Sequence, residues 1–126
     1  MRELEMYFKG LADGTRLRIL NLLLWGELCG CDIQVVLETS QPNASRHLTY
    51  LKHAGLVRDR RDGYRVFYGL AEPQSEALKG LLDYLRNTFK NDPALRNDLV
   101  RLKQAIKDGA CMFQQIRPLP RVMAAP

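Results

Sequence analysis

Apolar positions along this chain recur mostly at three- and four-residue intervals, the period of helices that bury one face. Over residues 2–9, Leu4, Tyr7 and Phe8, followed by Leu11, can share one side of a short amphipathic helix. A second, strongly apolar segment carries Leu17, Leu20 and Leu24. Asp13 or Thr15 suits its N-cap, it extends to about Trp25, and Gly26 ends it. A third helix is expected from about Cys29 to Glu38, with Ile33, Val36 and Leu37 inward. The turn Thr39-Ser40-Gln41-Pro42-Asn43 feeds a fourth, for which Ser40 is the N-cap. Pro42 is tolerated in the first turn because a missing N–H costs nothing there. This helix runs to His53 or Ala54 with Ala44, Leu48 and Leu51 inward, and Gly55 stops it.

After Gly55 the period changes to two. Residues 56–61 and 64–70 alternate around Asp62-Gly63, a strong short-range hairpin signal. Helical spacing then returns. Pro73 opens a fifth helix through about Phe89, striped by Leu78, Leu81, Leu82 and Leu85. Asp92-Pro93 caps a sixth, with Ala94, Leu95, Leu99, Leu102 and Ile106, ending at Gly109. The pattern describes one domain over residues 1–110 and a tail, 111–126, that carries Cys111. From Arg117 the tail has three prolines and little periodicity, and loose order is expected there.

Composition narrows the class. With 126 residues, 46% hydrophobic and 26% charged, the chain has the profile of a single soluble globular domain. No apolar run approaches the ~20 residues of a membrane span. Acidic residues interrupt the N-terminus where a secretion signal would be plainly apolar, so a cytoplasmic protein is expected. Three cysteines, an odd number, fit free thiols in a reducing compartment better than a disulfide framework. The 19 Lys and Arg against 14 Asp and Glu give +5, a mild nucleic-acid signal. Placement sharpens it, because Arg58, Arg60, Arg61 and Arg65 crowd the hairpin.

The element order is therefore mainly α with a small β-hairpin, a winged helix-turn-helix layout. If Ala44, Leu48 and Leu51 seat the fourth helix, Arg46, Thr49 and Tyr50 face outward, with Ser45 and His47 on the flanks. Gln41 and Asn43 stand at its leading end. Amides, hydroxyls and an arginine suit base edges and phosphates in a major groove wide enough for a helix. The four hairpin arginines would reach neighbouring phosphates or the minor groove. The plainer alternative is a solvated helix face beside an exposed charged hairpin.

Segment by segment, LADGTRLRILNLL, ELCGCDI, SQPNASRHLTYLKHAGLV and DGYRVFYGL resemble the ArsR/SmtB family of metal-responsive transcriptional repressors, over roughly residues 3–90. The resemblance implies a homodimer that binds a palindromic operator in double-stranded DNA and releases it on binding a metal or metalloid. It also implies that the first, fifth and sixth helices build the dimer interface. The ELC-x-CD pattern resembles the arsenite-sensing branch, whose typical segment has a third cysteine three residues after the second. Here that position is Gln34.

Trivalent arsenic takes three soft thiolates, and softness is what selects it. Cys29, Cys31 and the distant Cys111 are the three thiols of this chain. As(III) is the expected inducer, with Sb(III) as a second candidate and no organic cofactor. Without Cys111, two thiolates could still hold a monomethylated arsenical. Zinc fits less well, since His47 and His53 both lie in the fourth helix and the fifth and sixth have no histidine. Each step along a helix turns about 100°, so residues two apart point to nearly opposite sides. On a helix starting at Cys29, ligand capture would then require the first turn to unwind, which Gly30 would ease. A thiol enzyme is disfavoured because no acid–base partner or phosphate loop is recognisable. A thiol redox sensor or a sensor of another thiophilic metal stays as an alternative, although a C-x-C disulfide would close a small strained ring.

Overall fold

The computed structural model describes residues 1–109 and shows six helices and three short strands in that span. They are α1 (Arg2–Leu11), α2 (Gly14–Leu24), β1 (Leu28–Cys29), α3 (Gly30–Leu37), α4 (Gln41–His53), β2 (Val57–Asp62), β3 (Arg65–Leu70), α5 (Glu76–Phe89) and α6 (Pro93–Asp108). The strands form one antiparallel sheet in the order β1-β3-β2. Cys111 and the expected tail lie outside the described residues.

Side-chain caps place most helix starts. Asp13 accepts from the Arg16 N–H at 3.1 Å, Ser40 from Asn43 at 3.2 Å, and Asp92 from Ala94 and Leu95 at 2.9 and 3.2 Å. The fifth helix begins three residues later than Pro73 suggested. Ser75 is the capping residue and accepts from Leu78 N–H at 3.2 Å. The hairpin pairs Asp62 with Arg65, so its loop is Gly63-Tyr64 rather than Asp62-Gly63. Gly63 supplies the positive φ of +65° that the first loop position of such a tight turn requires. A serine-to-alanine change at Ser40 is expected to cost about 1 kcal/mol, the usual worth of an N-cap, in chemical denaturation.

The core collects Ile19, Leu20, Leu22, Leu28, Ile33, Leu51, Leu56 and Leu102, all at 0% exposure. Ala44, Leu48 and Leu51 seat α4 as the periodicity predicts. α3 packs on α4 to complete the helix-turn-helix, and the β2–β3 hairpin is the wing. On α1 the apolar residues divide. Tyr7 and Gly10 are buried, while Leu4 and Phe8 remain 42% and 56% exposed. Gly10 lets α1 close on the domain, since a Cβ there would stand 2.7 Å from Leu56 and 3.2 Å from Ala54.

α6 is tied to the rest by polar anchors. Asn21 donates to the Leu95 carbonyl at 2.9 Å, and Arg18 grips Asp98 with two bonds of 2.8 and 2.9 Å. Arg101 pairs with Glu38, the left-handed C-cap of α3. Among the described residues no helix is long and apolar enough to cross a membrane.

Candidate nucleic-acid interface and thiol pair

The outer face of α4 carries the residues that the periodicity assigns to it. Gln41, Arg46, Thr49 and Tyr50 are exposed, and Asn43, Ser45 and His47 are half-buried. Their neighbours differentiate them. Asn43 braces the start of the helix, donating to Thr39 Oγ1 at 2.8 Å and accepting from Arg46 at 2.5 Å. His47 turns toward α2, with Nδ1 3.8 Å from the capping carboxylate of Asp13. Arg16 lies 4.1 Å over the Tyr50 ring while donating to the carbonyls of Gly10 and Lys9 at the end of α1. Sequence reasoning missed Arg16. No short-range pattern marks it, because its partners lie on two other helices.

The wing arginines are also unequal. Arg61 is exposed, beside Tyr64 at the tip with 95% exposure. Arg60 and Arg65 stack on Phe67, at 4.6 and 5.3 Å from its ring centre. Arg58 and Arg60 converge on Glu27, at 2.6 and 2.7 Å. Burial pushes the Glu27 carboxyl up, but its bonds to Arg60 and Arg58 outweigh that and hold it below its ordinary value. Glu27 is a second residue that the sequence did not single out. A two-residue strand has no periodicity, so its pairing could not be foreseen.

That strand also corrects the expected geometry of the thiols. Cys29 is not the first residue of a helix. It ends β1, with φ −69° and ψ 147°, and serves as the N-cap of α3. The extended conformation turns its side chain back over the first turn, and Sγ of Cys29 lies 2.8 Å from Sγ of Cys31. No unwinding is needed to bring the pair together. Asp32 completes a capping box in which a thiol stands where Ser or Thr usually does, its carboxylate accepting from Cys29 N–H at 3.3 Å. Cys29 is 4% exposed and packs with Cys31 against Phe67. Two converging soft donors suit a thiophilic ion. Among the described residues no cluster of three His, Cys, Asp or Glu side chains forms a metal site. Cys111 falls outside that set.

A cleft of about 290 Å³ opens beside the thiols. It runs from Cys31 and Gln34 to Gln41 and Ser45 of α4, and to Arg65 and Tyr68 of the wing. Burial, and then the nearby Asp59 charge, push the Tyr68 hydroxyl above its usual range, so it stays neutral. The two cysteines thus border both α4 and the wing.

The family model of the arsR family of bacterial regulatory proteins matches residues 13–59, from the α2 cap into β2. The arsenic resistance transcriptional regulator ArsR1 of Pseudomonas putida is 42% identical over 112 residues, covering 82% of this chain and 83% of its own. The arsenical resistance operon repressor of Staphylococcus xylosus is 34% identical over 110 residues, 87% of this chain and 97% of that one. A homodimeric winged helix-turn-helix DNA-binding domain from Mycobacterium bovis, solved by NMR in solution, matches with a TM-score of 0.60 at 33% identity. It covers 69% of this chain and 78% of that one. With likeness running through most of both chains, this protein is a transcriptional regulator rather than an enzyme and belongs to the arsR family of bacterial regulatory proteins.

Proposed function

We propose that the protein is a homodimeric repressor that binds operator DNA through α4 and the wing, and releases it when trivalent arsenic is captured by Cys29, Cys31 and Cys111. The observation that carries this reading is the convergence of two cysteine sulfurs at 2.8 Å beside a cleft lined by α4 and wing residues. Arsenic resistance regulators and repressors among the relatives support arsenic as the inducer, with antimony as the nearest chemical substitute. No organic cofactor is invoked. A DNA-bound regulator of this kind works in the cytoplasm.

Gln41, Asn43, Ser45, Arg46, Thr49 and Tyr50 form the helix face offered to the major groove, with His47 at its inner edge. Arg61 and Arg65 reach phosphates from the wing, and Arg58 and Arg60 add charge from its base. Dimerisation uses the apolar residues that the domain leaves outside, Leu4 and Phe8 on α1 with Tyr84 on α5 and Val100 on α6. The homodimeric Mycobacterium bovis domain supports this arrangement.

The test is a gel-shift titration of an operator duplex, selected from a random pool, with arsenite, antimonite and monomethylarsenite. Wild type is expected to lose operator affinity on the order of 5- to 150-fold at saturating arsenite, the usual size of allosteric coupling. Unchanged affinity would sink the reading. With Cys111→Ser, loss of the arsenite response alone would leave the Cys29–Cys31 pair as a two-thiolate site for the methylated ligand.

A further inference from the structure

Register places Leu28 opposite Tyr68 and Cys29 opposite Phe67, while Arg58 faces Gly69 and Arg60 faces Phe67. Carried one residue further, the same register sets Glu27 level with Gly69. Because residues two apart share a face of a strand, two rows cross the sheet side by side. One is Glu27, Gly69 and Arg58, and the other is Cys29, Phe67 and Arg60.

The first row depends on its glycine. A Cβ on Gly69 would stand 2.6–2.9 Å from the Arg58 guanidinium, because that side chain lies over β3 on its way to Glu27. In the second row Phe67 touches Cys29 of β1, with Cys31 of α3 packed beside them, and supports Arg60 of β2. Both rows end on one carboxylate. Glu27 Oε2 accepts from Arg58 Nη1, and both its oxygens accept from Arg60 Nε at 2.9 and 3.1 Å. Without a shared anion two guanidiniums this close repel, so their positions are set by Glu27. Glu27 in turn sits two residues from Cys29, and its position is governed by β1.

We propose that Glu27 is a positioning residue that links the thiol pair to the wing: it holds Arg58 and Arg60 in place only while β1 lies correctly on β3. Seating an ion between sulfurs that already lie 2.8 Å apart requires Cys29 to shift away from Cys31, and that shift strains the β1–β3 pairing and loosens both arginines from their places beside the DNA. The wing then responds through the sheet, in addition to any response of α4. This inference rests on the arsenic-released repressor reading.

Full-length Glu27→Gln tests it, since the amide keeps the shape while removing the charge. Operator affinity is measured by fluorescence anisotropy with and without saturating arsenite, and arsenite uptake by protection of the thiols from a chromogenic disulfide. The variant is expected to take up arsenite as wild type does. Its arsenite-induced loss of affinity should shrink about 2- to 30-fold, the range over which residues along a coupling path act. Gly69→Ala, which pushes Arg58 off Glu27 without changing any charge, should shrink it in the same direction, and it decides alone if Glu27→Gln does not fold. An unchanged ratio in folded Glu27→Gln overturns the proposal, as does loss of arsenite uptake, which would put Glu27 in the ligand site instead. A wild type indifferent to arsenite is a separate result, and it removes the inducer assignment first.

Discussion

With Cys29 and Cys31 both replaced by serine, the repressor is expected to keep its operator affinity and lose release by arsenite altogether. The serine variant is unusually informative because of where Cys29 sits. As the N-cap of α3 it forms a capping box with Asp32, and Ser is among the residues that most often fill this position. Serine therefore preserves the capping box while removing the soft donor. The fold should hold within about 1 kcal/mol, the scale of a single cap. The whole response to ligand, on the order of 5- to 150-fold in operator affinity, should vanish in the same titration. If the serine variant is still released by arsenite, the thiols are bystanders and the protein senses by other means.

Arg18→Met, at a residue that touches neither DNA nor ligand, is expected to destabilise the fold by about 2–3 kcal/mol. Asp98 is 3% exposed, and both of its oxygens are engaged by Arg18. The hydrogen bond to Asp98 outweighs desolvation and keeps Arg18 firmly charged. Removing the arginine strands a buried carboxylate, which typically costs about 3–5 kcal/mol. The lower figure applies because the Arg18 side chain is itself 35% exposed, so water screens part of the interaction. Urea denaturation at fixed protein concentration reads it, the fixed concentration being needed for any dimer. Restoring shape without charge in Arg18→Met with Asp98→Leu should recover much of the loss. If Arg18→Met melts like wild type, the pair does not hold α6 to α2.

The helices and the hairpin were legible in the chain because each is a local pattern with a physical cause. Ser40, Asp13 and Asp92 cap where they were expected to, since a side chain three residues or fewer from its backbone partner needs no tertiary help. Ala44, Leu48 and Leu51 lie one turn apart, and their burial follows from spacing alone. Arginines near the hairpin tip could be counted in the same way. The start of α5 was missed because Pro73 and Ser75 both suit a helix entrance, and only the hydrogen bond from Leu78 chose between them.

β1 is a different case. Two residues cannot show a period, and Leu28-Cys29 becomes a strand only because β3 supplies its partner some forty positions later in the chain. Three consequences follow from that one pairing: Cys29 leaves the helix, its sulfur meets Cys31, and Glu27 comes within reach of the wing arginines. The sequence by itself determined the helices, the hairpin, the thiol count and the family, because those depend on spacing and residue type. Tertiary structure alone decided which way the thiols point and which arginines are held. Those are set by contacts between segments far apart in the chain, where no local pattern carries the information.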